Sequence, residues 1–448
     1  MPRRDFFAKA AALLTLGGVE TQSGAEPSWL WTGAVTATTA TVLCGFPEVT
    51  GEVPALLVSP RRDLSGARPA AGRPVLAPSR SYEKRTVVEF ALTGLSPNQE
   101  YFGGFRVDGG TQVRFRTFGT GPYSFTAAFS SCAGGTRVVP MSHVSNSRVF
   151  DAIAGLDPHL FIHMGDLHYY NLIGAATPID PLVRRFRRSL DRVLSQEHQA
   201  LFYRRTPIVY MWDDHDYGRD ESDGNSPTRD AARAYYATDV PHYPLPLGPD
   251  ADGPLAQVFD IGRVRFLVTD VRSERKPDEK TMLGTRQFAW LLDELGKAAA
   301  ARVPLVVWVN PVPWITLDGD GHGWGMYAAE RKAIGERITQ IGLGSRLVML
   351  SGDAHMLAFD DGRNNLNGGF VVAHAAPLDR FLRDKGGPYS NLPPQQKNGQ
   401  FATLQVEDTG STLTATLQGY RNNEGKAVLV PETRLQLRCS GLTCELVR

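Results

Sequence analysis

PIVYMWDDHDYG, residues 207–218, is the stretch on which the fold turns. Ile208 to Trp212 is an unbroken apolar and aromatic run, and Asp213, Asp214, His215 and Asp216 follow it at once. Such a run, bounded by polar residues, is the pattern of a strand buried on both faces, as in the sheets of α/β proteins. Three carboxylates crowded directly after a buried strand would repel one another unless cations neutralise them. The same order, an apolar run and then donor side chains, recurs in FSSCAGG (129–135), HMGDLHYYN (163–171) and SGDAHM (351–356). Ligands of an open α/β sheet bind in the crevice at the carboxyl ends of its strands. The four donor sets are therefore expected to meet at one site.

Around this stretch, between Ser124 and Pro377, the runs FTAAFSS, HLFIHM, VRFLVTD, PLVVWV, RLVML and FVVAHA alternate with segments of helical period. Leu182, Val183, Phe186, Leu190 and Leu194 mark one helix face, and Phe288, Leu291, Leu292 and Leu295 another. The expected fold class is α/β, with layered sheets flanked by helices. Upstream, TATVLCGF, PALLVSP, RTVVEFAL, EYFGGFRV and TQVRFRTF are short alternating runs separated by turn residues, which predicts a small all-β sandwich. LSPNQEYFGGFRV places Tyr101 shortly after a turn, similar to the tyrosine corner of fibronectin or immunoglobulin-like domains. The tail returns to β patterning in FATLQVED, STLTATLQGY and ETRLQLRC and reads as an added edge or cap on the α/β sheet. Expected boundaries are 1–25 for a signal peptide, 26–119 for the sandwich and 120–448 for the catalytic domain with its β-rich cap.

The chain carries 48 Lys and Arg against 47 Asp and Glu in 448 residues, a balance that offers no nucleic-acid-binding patch and no footprint for an anionic membrane. Small-molecule esters are the expected partners. Arg3-Arg4 followed by AAALLTLGG matches the basic and apolar regions of an export signal, and the paired arginines point to the twin-arginine export machinery. Cleavage after Ser23-Gly24-Ala25 would start the mature chain near Glu26; the alternative is an amphipathic N-terminal helix. No other uncharged apolar run reaches about 20 residues, so no stable membrane span is expected after cleavage. A periplasmic or secreted location follows. Cys439 and Cys444 are close enough to bridge in an oxidising compartment, and Cys44 reads as a buried core thiol.

Cys132 precedes Gly134-Gly135, where backbone can approach an ion closely; it is either a thiolate ligand or a small core residue. Asp166 can bridge two cations, and Tyr169 can supply a phenolate. Carboxylate and phenolate oxygens with one thiolate suit a hard trivalent ion such as ferric iron, and further carboxylates suit calcium. His168 is open between ligand, supporting donor and solvent-facing loop residue. Asp353 and His355 alternate on a short turn, so that both can face one ion. Arg272, in Asp270-Val271-Arg272, either pairs with phosphate oxygens or forms a salt bridge with Asp270 or Glu274. Asn310 is a site contact or a turn cap, while His322, Trp324 and Tyr327 read as a mobile rim.

The ordered set SSC, GDLHY, WDDHD, DVR and SGDAH resembles the PhoD-type alkaline phosphatase and phosphodiesterase family, a branch of the metallophosphoesterases. The resemblance extends over nearly the whole chain, signal and sandwich included. It implies metallophosphoesterase-like mixed sheets and an iron and calcium centre, with zinc or manganese as alternatives. Cys132, Asp166 and Tyr169 would hold iron; Asp166, Asp213 or Asp214, and Asp353 would hold or bridge calcium. His355 would be a terminal ligand or phosphate contact, His215 would assist the leaving oxygen, and Arg272 would belong to the family's D-x-R element. The Gly-Asn-His element of purple acid phosphatases is absent. Where relatives commonly place Asn after WDDHDYG, this chain has Arg219-Asp220-Glu221, which adds charge at the calcium side or moves that role to Asn225. The activity implied is hydrolysis of phosphate esters by metal-activated attack on phosphorus. A phosphodiesterase on phospholipid, nucleotide or polymer esters is the first alternative, and a non-catalytic surface binding protein the second.

Overall fold

The computed structural model describes residues 26–47, 53–75, 85–107, 109, 112–135, 143–172, 179–248, 253–383, 385–391 and 398–447; the expected signal segment lies outside them. The N-terminal part is all β: β1 (Trp29–Gly33), β2 (Ala40–Pro47), β3 (Leu56–Ser59), β4 (Arg68–Ala70), β5 (Arg73–Pro74), β6 (Arg85–Leu92), β7 (Glu100–Gly104) and β8 (Val113–Arg116). There follow β9 (Phe125–Ser130), α1 (Val149–Ala154), β10 (Leu160–Met164), α2 (Ile179–Leu194), α3 (Glu197–Tyr203), β11 (Ile208–Met211), α4 (Asp214–Tyr217) and α5 (Arg229–Asp239). The second half holds β12 (Gln257–Ile261), β13 (Val264–Val268), α6 (Gly284–Ala300), β14 (Leu305–Asn310), α7 (Ala328–Gln340), β15 (Leu347–Ser351), β16 (Leu357–Asp360) and β17 (Val371–Ala375). It closes with β18 (Gln400–Asp408), β19 (Thr412–Asn423), β20 (Lys426–Ser440) and β21 (Thr443–Val447).

Among the described residues these strands form three sheets, ordered β21-β20-β19-β18-β9-β10-β11-β1-β2-β6-β5, β12-β13-β14-β15-β17-β16 and β4-β3-β7-β8. Each of the seven apolar runs of the middle region is a strand, and each central pair is parallel: β9 with β10, β10 with β11, and β13 through β15 to β17. The antiparallel strands β12 and β16, which border the second sheet, were not picked out by pattern. The β-rich tail adds four strands to the first sheet through β18 on β9, as its pattern indicates.

Alternation along β14 shows how the layers stack. Leu305, Val307 and Val309 face the core shared with the first sheet, while Val306 and Trp308 face α6 and α7. Two sheets therefore pack face to face with helices outside, and a fully buried aromatic of this kind contributes roughly 1.5–3 kcal/mol. The buried stripe of α6 runs through Gln287, Trp290, Leu291, Glu294 and Leu295; Phe288 and Leu292 only flank it. The N-terminal strands do not stand apart, since β1 pairs in parallel with β11 and carries the first sheet on into β2, β6 and β5. Tyr101 forms the expected corner, its hydroxyl accepting from the Ser96 backbone N–H at 2.9 Å. Cys44 is buried, and Cys439 and Cys444 pair across β20 and β21 in a disulfide.

Candidate metal centre

The donors come from both facing sheets. Cys132 follows β9, Asp166 follows β10, Asp213 follows β11, and Asp353 and His355 follow β15. Tight exits put them there: Cys132, Asp166, Asp353 and His355 all have positive φ, at 64°, 56°, 69° and 49°. Such left-handed conformations are costly outside glycine and concentrate at functional sites. Gly165 is required by contact as well as by its φ of 86°, because a Cβ there would lie 2.2 Å from that of Asp213. The loops are tied across the sheets by Asp353 N–H to Ser131 Oγ at 3.1 Å and Leu378 N–H to the Ser131 carbonyl at 2.9 Å.

Two donor groups result, each with ligand atoms within 4.8 Å of one another: Cys132, Asp166 and His355, and Asp166, Asp214 and His215. Asp166 belongs to both. Tyr169 joins the first, donating to Asp166 Oδ2 at 2.7 Å and lying 3.2 Å from His355 Nε2. Burial, then the charges of Asp214, Asp213 and Asp216, push the Asp166 carboxyl well above its ordinary range. Burial likewise raises the Cys132 thiol and the Tyr169 phenol, with neighbouring anions adding to the effect. Burial opposes ionisation of Asp214, but Arg272, His215 and the Glu221 N–H outweigh it and hold that carboxyl low.

Asp213 and Asp353 stand beside these groups. Asp213 Oδ1 accepts from Arg272 Nε, and Asp353 Oδ1 lies 3.2 Å from Lys385 Nζ. Their second oxygens, Asp213 Oδ2 and Asp353 Oδ2, are buried without a partner among the described residues, as is His355 Nδ1. An unpaired buried carboxylate oxygen is expensive. Unsatisfied oxygens, a thiol, a phenol and imidazoles converging in one crevice are the chemistry that cations require, so the residues fit a metal centre. Asp353 and His355, expected to face one ion, divide: the imidazole lies with Cys132 and Asp166, the carboxylate against Lys385.

Arg272 is buried and its guanidinium nitrogens are committed, to Asp213, to Glu221 Oε2 at 3.3 Å and to the Ser222 carbonyl at 3.4 Å, while its backbone N–H donates to Asp270 Oδ1 at 3.0 Å. His215 is partly exposed; Asn171 Oδ1 contacts its Nδ1, and Nε2 lies 3.4 Å from the exposed Asp220. Asp216 closes the loop, accepting from the Leu167 N–H at 2.7 Å and the Asp213 N–H at 3.2 Å. Burial raises its pKa to about 7. His168 is buried, not solvent-facing. Asn225 is exposed, bonded by its N–H to Asp223, whereas Glu221 reaches Arg272 and Arg275 at the site's edge. Of the expected rim only His322 is exposed; Trp324 and Tyr327 are core residues, and Asn310 binds the Val312 carbonyl and Trp324. Pattern reading gave no role to Asn171, which closes the HMGDLHYYN stretch, and passed over Arg380 and Lys385, which sit in a loop with no donor motif; only the density of cations in RFLRDK (380–385) hinted at the last two.

Residues 128–372, more than half of the chain, match the PhoD-like phosphatase family. The chain belongs to that family. The solved structure of PhoD shares its fold at 16% identity, over 96% of this chain and 94% of that one, with a TM-score of 0.65. Purple acid phosphatase PPD1 from yellow lupin (Lupinus luteus) seeds does so at 13% identity, over 93% and 74% of the two chains, with a TM-score of 0.63. Among curated proteins none matches. As a PhoD-like phosphatase the chain is a phosphoric-ester hydrolase of the metallophosphoesterase group, and metal ions are implied by family and by donor groups alike. No helix among the described residues is long and apolar enough to cross a membrane.

Proposed function

We propose that this protein is an exported alkaline phosphatase of the PhoD kind, holding iron at Cys132, Asp166, Tyr169 and His355 and calcium between Asp166, Asp214, Asp213 and Asp353. The observation that carries this is the sharing of Asp166 by two donor groups, one with a thiol and one with oxygen and imidazole donors. Sulfur and phenol beside carboxylate suit ferric iron, and a carboxylate-rich neighbour suits calcium. Bound metal would polarise the phosphoryl group and lower the pKa of an attacking water. The chain's own residues do the rest. Arg272 holds Asp213 and Glu221 on the side where calcium would sit, and Asn171 engages His215 Nδ1, which leaves Nε2, 3.4 Å from Asp220, as the nitrogen that would protonate a leaving oxygen. Residues 26–119 form the accompanying sandwich and 120–448 the catalytic unit. Twin-arginine export suits a protein that must fold around its metal before crossing a membrane.

Elemental analysis of purified protein, with turnover of para-nitrophenyl phosphate and its bis ester with and without calcium, tests the proposal. Iron near one per chain and calcium-dependent turnover are expected. Zinc or manganese with activity would keep the reaction and overturn the metals, and folded, metal-bound protein without turnover would favour a binding role.

A further inference from the structure

The cations around the site are not equivalent. Arg272 is spent on Asp213 and Glu221, Arg275 on Glu221 and the Tyr327 hydroxyl, and Lys385 on Asp353. Arg380 differs. Its guanidinium lies 3.8 Å above the Tyr169 ring and finds no carboxylate or carbonyl acceptor among the described residues, and its Nε is buried without a partner. The backbone fixes it there from both sides: the Asp379 N–H donates to the Cys132 carbonyl at 3.1 Å, and the Arg383 N–H to the His355 carbonyl at 3.2 Å. Arg380 thus stands between the loops that supply a thiol and an imidazole to the first donor group. The ring beneath it lies 4.2 Å from that of His215 and carries its hydroxyl 3.2 Å from His355 Nε2, so Arg380 stands beside both donor groups.

An arginine seated over an aromatic ring keeps its planar donor fork preorganised, and that fork matches two oxygens of a phosphoryl group. An unpaired cation beside a site that must receive an anion also favours the more highly charged one. We propose that Arg380 grips the non-bridging oxygens of the substrate phosphoryl group and selects phosphomonoester dianions over phosphodiester monoanions. The inference rests on the phosphoesterase reading and names its substrate class. It also assigns phosphate contact to a residue outside the D-x-R element, whose arginine is already engaged.

The test uses metal-loaded wild type, Arg380→Ala and Arg380→Lys, with metal content measured in each. In Arg380→Ala, kcat/KM for para-nitrophenyl phosphate should fall about 10- to 100-fold, the range expected for one charged hydrogen-bonding group. The loss on the bis ester should be much smaller, inorganic phosphate should inhibit more weakly, and metal content should be unchanged. Arg380→Lys should recover part of the monoester rate, keeping charge without the fork. Equal losses on both esters would overturn the proposal, and loss of metal in Arg380→Ala would make the residue a support for Tyr169 instead. If wild type turns over neither ester, the phosphoesterase reading fails. Calorimetric affinity for inorganic phosphate then decides alone: a 10- to 100-fold weakening in Arg380→Ala sustains the grip, and unchanged affinity refutes it.

Discussion

The crevice between the two central sheets and the N-terminal sandwich are built from the same kinds of strand, yet they differ in which polar groups they leave open. In the sandwich, charged and turn-forming groups close on partners within the chain: Tyr101 on the Ser96 backbone, Thr117 Oγ1 on the Ser96 carbonyl at 2.6 Å, and Arg114 on Glu100 and Asp157; its buried atoms without a partner among the described residues, Trp31 Nε1 and Thr32 Oγ1, are neutral. In the crevice, Asp213 Oδ2, Asp353 Oδ2 and His355 Nδ1 are buried and open, and four donor residues occupy left-handed backbone. Among the described residues the first region leaves no charged atom buried and open. The second is complete only with ligands, so its strain and charge crowding are offset on binding.

The sharpest way to break this contrast is at Asp166. Asp166→Asn should lower turnover by at least about 100-fold, since even residues that merely support a metal ligand cost 10- to 100-fold. The same change should not lower the melting temperature of chelated protein, because it replaces a buried carboxyl that is costly to ionise beside Asp214 and Asp213 with a neutral amide. Chelation should lower the melting temperature of wild type and leave that of Asp166→Asn nearly unmoved. A large loss of stability in chelated Asp166→Asn would mean that the crevice is as self-sufficient as the sandwich.

Arg272→Leu should have the largest effect on stability. It strands the buried Asp213 carboxylate, a loss of about 3–5 kcal/mol when one partner of a buried pair is removed. Denaturant melts of chelated and metal-loaded protein should show the deficit shrinking once metal supplies the missing charge. An equal deficit in both states would show that Asp213 lies outside the metal's reach.

How much of this was legible in sequence depends on whether a residue's partner is local. The seven strands, the α2 face and the Tyr101 corner are set by periodicity and turns within a few residues of themselves, and pattern reading found them. Cys132, Asp166 and the WDDHD acids, too, are placed by their own strands, which they follow directly. What sequence left open is set by distant contacts. Asp214 lies in the second donor group, while Arg272, 59 residues beyond Asp213, occupies one oxygen of Asp213 and leaves the other open. Trp324 and Tyr327 sit in a glycine-rich stretch that looks mobile, but both rings are core, Trp324 against Trp308 and Trp314. Arg380 gains meaning only from the ring of Tyr169 beneath it.

On the sandwich side, Tyr101→Phe removes one hydrogen bond whose donor, the Ser96 N–H, lies at an exposed turn where water can replace it. The cost should be about 1 kcal/mol by denaturant titration, with turnover and metal content unchanged. A fall in turnover would show that the sandwich, continuous with the catalytic sheet through β1 and β11, transmits strain to the site.

The smallest effect is expected at Asp157, where Arg114 of the sandwich meets the turn before β10. The hydrogen bond from Arg114, more than its charge alone, holds the Asp157 carboxyl below its ordinary value of 3.8. Asp157 has a φ of 47°, a conformation that Asn also tolerates, so Asp157→Asn isolates the charge without straining the turn. Because the side chain is largely exposed and Arg114 retains Glu100, solvent screening limits the loss to under about 1 kcal/mol at pH 7. The sign follows from the depressed folded pKa. The stabilisation is fully present above the unfolded value and disappears as pH falls through the folded one. Wild type and Asp157→Asn should therefore differ between pH 5 and 8 and converge in acid below the ordinary aspartate pKa. A difference that persisted there would mean that the contact acts by packing and not by charge.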